Sequence, residues 1–294
     1  MLKIAMATLV VFIYPTFAFA QFEEDSPVLS SEVVFSWKKA GACVGRMGVG
    51  QYEALNFEEC ELDKDGYVPA FKFAIWGADV LKGCDIPSAE FGIDLGGTKL
   101  PDAGIADICR FTTLHSLDIG FTLVTDVGIQ ELATLRTLKA LNLRFVNVAD
   151  DGMKHVCKIK TLELLNLRGT KVSDVGMREL GSLKKLKSLD LTYVPVTDSG
   201  VKHLSQLTSI HTLFLFKTNI SNAGLKHLSE LKNLRYLVLD DTKITDEGLT
   251  ELEGLISLRK LSLTGTKVTA RGIEKLQKSL PNTQIQCYGV VPEN

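Results

Sequence analysis

The sequence predicts an α/β solenoid, an arc with parallel strands on its concave face and helices on its convex face. Three observations carry that expectation. Apolar residues recur every 24 residues from Leu114 to Leu258 without a slip. Within each period their spacing switches from two residues to three or four, the change from strand to helix. A glycine recurs at one fixed point of the period, from Gly104 to Gly272.

Let Leu114, Leu138, Leu162, Leu186, Ile210, Leu234 and Leu258 be position 1 of each unit. Position 4 is then Leu117, Leu141, Leu165, Leu189, Leu213, Leu237 and Leu261. Position 6 is Ile119, Leu143, Leu167, Leu191, Leu215, Leu239 and Leu263. One earlier unit supplies Ile93 and Leu95 at positions 4 and 6, making eight units over residues 89–281. Positions 4 and 6 point inward on a strand, so 3, 5, 7 and 8 face outward. Position 9 is threonine in six units, with Val146 and Val194 as exceptions. A hydroxyl there can bond turn backbone where the chain leaves the strand.

The second half of each period reads as a helix. Thr245 and Asp246 illustrate its start: an N-cap hydroxyl and a carboxylate at the positive helix end. The recurrent glycine falls at position 15. Glycine inside a first helical turn costs about 1 kcal/mol relative to alanine, so its recurrence predicts a neighbour too close for a Cβ. Apolar positions 16, 19 and 22 dock the helix on the strand layer. One unit cannot bury its leucines alone; stacked units do so together.

These residues resemble the leucine-rich repeat family. The form LxxLxLxxTxVTDxGLxxLxxL is similar to repeats common in exported bacterial proteins and akin to those of F-box and GALA-type proteins. The resemblance covers about two thirds of the chain. It implies the solenoid fold and the binding of other macromolecules. A ubiquitin-ligase adaptor role would follow only from the F-box likeness, and residues 21–88 do not resemble an F-box.

The ends differ from the array. Residues 1–20 carry Lys3, an apolar run and an Ala18-Phe19-Ala20 ending, the pattern of a secretory signal peptide cut near Ala20. Export follows, with no membrane insertion of the remaining chain. Residues 21–88 read as an N-terminal cap, or alternatively as a small separate domain. There Ser30 or Ser31 caps a helix that turns Val34 and Trp37 inward, and Phe71, Phe73 and Ile75 alternate along a strand. Residues 282–294 read as a C-terminal cap strand and tail, with Ile285 and a buried Cys287 at positions 4 and 6. Cys43 with Cys60 is the one disulfide pairing suggested.

Charge and motifs exclude several functions. A formal net charge of -2 provides no global field for nucleic acid. The stretch GACVGRMGVG fits neither phosphate-loop fingerprint and reads as a turn. Asp63, Asp65 and Gly66 fall short of a calcium loop, because Lys72 stands where the pattern needs glutamate. His155, His203 and His227 share position 18 and read as a solvated convex stripe. Asp94, Asp118 and Asp190 share position 5 with Asn142 and Asn166 between them, a polar ladder with nothing expected to perturb its acids. No catalytic set, metal site or cofactor site is legible.

The concave face carries the functional signal. Outward positions hold Phe121, Phe145, Tyr193, Phe214, Phe216 and Tyr236. Arg144 and Arg168 stand side by side at position 7, and Asp240 and Asp241 at positions 7 and 8 of a later unit. Aromatic and arginine side chains are the usual anchors of protein interfaces. The reading is a non-enzymatic, exported protein that binds a protein partner on this face. The alternative is a binder of extracellular or cell-wall glycan, with sugar rings stacked on the aromatics.

Overall fold

The structure, a computed structural model, describes residues 29–49, 55–58 and 67–288. The signal-peptide pattern, Cys60 and the Asp63–Gly66 turn lie outside the described residues. Among the described residues twelve strands form one sheet. The repeat strands are β4 (Phe91–Asp94), β5 (Leu114–Asp118), β6 (Ala140–Asn142), β7 (Leu164–Asn166), β8 (Ser188–Asp190), β9 (Thr212–Phe214), β10 (Tyr236–Val238) and β11 (Lys260–Ser262). They pair in parallel and in phase, Leu141 against Leu165, Leu165 against Leu189 and Leu189 against Leu213. The position 4 and 6 leucines from Leu117 to Leu263 are at most 1% exposed in one continuous core.

The strand ends where position 5 closes an Asx turn. Asp118 Oδ1 accepts from the Gly120 amide at 2.8 Å, and Asn142, Asn166 and Asp190 do the same for the amide two residues on. The position 9 hydroxyls of Thr122, Thr170 and Thr218 donate back to the position 6 carbonyl, as the sequence leads one to expect.

The convex helices begin at caps of the predicted kind. The side chains of Thr125, Ser173, Thr197, Ser221 and Thr269 accept an amide of their own helix, whereas Thr245 makes no such bond. The aspartate at the start of most of these helices reaches into the next unit. Asp174, the first residue of the helix Asp174–Leu180, accepts the Thr197 amide at 2.8 Å and its hydroxyl at 2.6 Å. Asp102, Asp150, Asp198 and Asp246 repeat the pair of bonds. This carboxylate is what the recurrent glycine makes room for. An added Cβ would stand 2.6 Å from Asp102 Oδ1 at Gly128 and 2.6 Å from Asp150 Oδ1 at Gly176. Gly200→Ala, which would collide with Asp174, should therefore destabilise by about 1–3 kcal/mol, although alanine is the better helix former. Urea unfolding decides the sign; a variant as stable as the parent would mean that Asp174 swings clear without loss.

The N-terminal region builds onto the same sheet. Helix α1 (Ser31–Lys39) is capped by Ser30, buries Trp37 fully and sets Val34 against the core. Strand β3 (Val68–Lys72) pairs in parallel with β4. Phe71 and Phe73 are buried as expected, but Ile75 is 79% exposed: the strand ends at Lys72, so the alternation stops with it. The glycine-dense stretch is a strand rather than a turn. β1 (Cys43–Val49) lies antiparallel between β3 and β2 (Leu55–Glu58). Its glycines admit close neighbours: a Cβ on Gly45 would strike the Glu58 carbonyl, and one on Gly48 the Tyr67 ring.

This hairpin folds over the concave face. Met47, Leu55 and Ala70 join Ala140 and Leu164 in a second buried apolar cluster, with Phe57 and Val68 against it. Position 3 of the units on β6 and β7 is thus covered by the chain itself. At the other end β12 (Gln284–Gln286) pairs with β11, Leu261 opposite Ile285. Ile285 and Cys287 are only half-buried, not fully as Cys287 was expected to be, because no further strand covers them. All five described cysteines are free thiols, and burial pushes Cys157 up to about 12 and Cys84 to about 11.

Candidate functional site

Position 8 of every unit sits in the left-handed backbone region. Gly97, Gly169 and Gly265 occupy it in three units; Phe121, Phe145, Tyr193, Lys217 and Asp241 occupy it in the others, with φ from 53° to 62°. The conformation aims the position 8 amide, from Gly97 to Asp241, at the position 7 carbonyl of the next unit. Phe145 donates to Arg168 O at 2.7 Å and Tyr193 to Phe216 O at 3.0 Å. These bonds extend the inter-unit ladder past the strand ends. A side chain there costs roughly 1–2 kcal/mol that glycine does not incur. Three of the five side chains at this strained position are aromatic and largely solvent-facing: Phe121 is 51%, Phe145 42% and Tyr193 41% exposed. Strain of this kind clusters at binding sites, where function retains it.

The rings form a stripe along the rim where the strands end, interleaved with cations. Phe121 stacks on Phe145 with centroids 4.7 Å apart and 19° between planes. Tyr193 meets Phe216 edge-on at 5.1 Å. The Arg144 guanidinium lies 5.4 Å from the Phe121 ring. Arg168 lies between Phe145 at 5.8 Å and Tyr193 at 5.3 Å. Lys217 sits over both Tyr193 and Phe216. Neighbouring glycines leave the space: a Cβ on Gly169 would enter the Phe145 ring, and one on Gly120 would stand 2.6 Å from Arg144 Cγ.

The arginine edges are poorly engaged. Arg144 Nη2 is 3.9 Å from Asp118 Oδ2, beyond hydrogen-bond range. The Nε atoms of Arg144 and Arg168 are buried without a hydrogen-bond partner among the described residues. An unmet buried donor costs about 1–3 kcal/mol.

Beneath the stripe the position 5 acids Asp118 and Asp190 are perturbed, contrary to the sequence expectation. Burial, then the charge of Asp94, pushes Asp118 up to about 6, opposed by the Gly120 amide, Arg144 and Asn142. Burial also raises Asp190. The ladder is short side chains shut in by the Asx turns, which alternation alone does not reveal. A folded-state value above the unfolded one gives stability that is full at low pH and is lost as pH rises through 6. Asp118→Asn should therefore gain on the parent by on the order of 2 kcal/mol between pH 4 and pH 8. Paired urea titrations at the two pH values measure the difference; a gap independent of pH would refute the perturbation.

The remaining predicted residues lie toward the C-terminal end. Phe214, Tyr236 and Asp240, with Lys260, Gln286 and Tyr288, line a concave cavity of about 300 Å³. Asp240 is occupied internally, accepting from the Thr264 amide at 2.7 Å and the Ser262 hydroxyl at 2.9 Å. Asp241 faces Lys217 at 3.8 Å. The structure thus brings Phe121, Arg144, Phe145, Arg168, Tyr193 and Phe216 together in the stripe, with Phe214 and Tyr236 apart in the cavity. Lys217, Lys260 and Tyr288 were missed in the sequence. Lys217 was findable, since it shares position 8 with the aromatics.

The family description "Leucine Rich repeat" matches residues 112–133, 158–181, 182–205 and 230–252. No curated protein matches the sequence. Among solved structures, a leucine-rich repeat protein of Leptospira interrogans is similar over 66% of this chain and 54% of that one. The identity is 21% and the TM-score 0.49, and this chain spans about half of that protein's length.

Proposed function

Because the chain is a leucine-rich repeat protein, we propose that it is an exported, non-enzymatic binder that holds a protein partner on the aromatic and cationic rim of its concave face. Such arrays serve in general as protein-interaction scaffolds. The stripe from Phe121 to Phe216 carries the proposal, because Phe121, Phe145 and Tyr193 in it keep large rings solvent-facing on backbone that favours glycine. The export part rests on the pattern of residues 1–20 alone; no described helix is long and apolar enough to cross a membrane. A crosslinking pull-down with the chain from Gln21 tests the face. A species captured by the parent and lost by the Phe216→Asp, Arg168→Glu variant supports it; equal capture by both moves the site elsewhere.

One observation favours the glycan reading. The C-terminal cavity joins three aromatic rings with a carboxylate and an amide, a lining suited to a sugar ring. Binding to purified polysaccharides that Tyr236→Ala abolishes would support it, and no response from soluble or insoluble glycans would remove it.

A further inference from the structure

We propose that the rim stripe recognises an acidic peptide segment, whose carboxylates dock on the edges of Arg144 and Arg168 while flanking apolar side chains lie on Phe121, Phe145 and Tyr193. This rests on the reading of the rim as a protein-binding surface and adds the chemistry of the partner.

Three observations carry it. The first is orientation. Arg168 has aromatic rings on two sides, at 5.8 and 5.3 Å, and its buried Nε meets no hydrogen-bond partner among the described residues. A guanidinium pinned by its flanks leaves its two Nη atoms as donors in one plane, the geometry that a carboxylate meets with two bonds. Arg144, one unit away, has one such ring, Phe121 at 5.4 Å, and its one acid, Asp118, stands off at 3.9 Å.

The second is charge. Arg144, Arg168 and Lys217 are the cations of the stripe and reach the surface, while Asp118 and Asp190 lie beneath them, largely shut off from solvent. The exposed field of the stripe is therefore positive on a chain of net charge -2. Three cations beside Asp241 suit scattered single charges better than a dense polyphosphate backbone.

The third is access. The hairpin of β1 and β2 covers position 3 on β6 and β7, which closes the middle of the face and leaves the rim open. A narrow open rim fits an extended segment rather than a broad globular surface.

The test uses the chain from Gln21 and two fluorescent peptides of equal length, one of glutamate and leucine, the other with glutamine for glutamate. Anisotropy should show the glutamate peptide binding about tenfold more tightly or better, the worth of one charge-assisted hydrogen bond. Arg168→Gln should erase that preference, and Arg168→Lys should retain part of it. Arg168→Lys keeps a cation beside the two rings and so controls for the ring contacts that Arg168→Gln loses. Failure of the glutamate peptide to bind, equal binding of both peptides, or an undiminished preference in Arg168→Gln overturns the proposal. So does stronger capture of a sulfated polysaccharide than of the glutamate peptide. If the pull-down partner is lost in Phe216→Asp alone yet kept by Arg168→Gln, the rim stands and the acidic ligand falls.

Discussion

Replacing Leu215 with alanine should lower the unfolding free energy by roughly 2–5 kcal/mol, the range for truncating a leucine in a packed core. Leu215 is fully buried at position 6 of a unit far from either end. Its amide donates to Val238 in the next unit at 2.9 Å, and its carbonyl accepts the Thr218 hydroxyl at 2.8 Å. The side chain therefore fills the seam that couples two units. In a one-dimensional array, loss at such a seam weakens a nearest-neighbour interface as well as one unit. Ile285→Ala is the matched control: half-buried on the last strand, it should cost well under half as much. Urea unfolding of both variants measures the contrast, and amide exchange shows whether the units beyond Phe216 open first. Equal costs for the two substitutions would mean that the core is not continuous along the arc.

What the sequence revealed and what it hid divide along physical lines. The period, the inward leucines, the threonine turn bonds and the Thr or Ser helix caps each follow from one residue meeting its own near neighbours. They were legible for that reason. The clash behind the recurrent glycine was legible, but its partner was not. Asp174 beside Gly200 is a contact between units, and a one-unit motif shows both residues without showing that they touch. The rim was half legible. Counting positions put Phe121, Phe145 and Tyr193 outside the core, yet it could not reveal that position 8 is left-handed in every unit. The three glycines at that position were the available signal. The acid ladder was misread because Asx turns bury side chains that alternation assigns to solvent. The strand at Cys43–Val49 was misread because its glycines are spaced for close strand neighbours rather than for reversal.

Trp37→Ala should cost about 3–5 kcal/mol, as large aromatic truncations in cores do. The ring stacks on Phe71 at 4.1 Å and 16° and meets Phe91 at 5.6 Å and Phe111 at 5.1 Å. Its Nε1 donates to the Asp85 carbonyl at 2.8 Å, so the indole is satisfied as well as buried. Phe91 and Phe111 belong to the first repeat unit, and Phe71 to the strand before it. Trp37 is thus where the N-terminal region closes the open end of the leucine core. Trp37→Phe separates packing from bonding: it keeps most of the volume and strands the Asp85 carbonyl, for an expected cost of about 1–3 kcal/mol. The decisive reading is the number of transitions. If residues 29–88 cap the array, the parent unfolds in one step and Trp37→Ala shifts that step as a whole. If they form a separate unit, the variant loses an early transition while the array transition stays in place. The first outcome has a functional corollary. The hairpin that covers the middle of the concave face is then held by the same aromatic cluster, and Trp37→Ala should uncover Ala140 and Leu164. Binding of an apolar dye, negligible in the parent and raised in the variant under native conditions, would register that exposure.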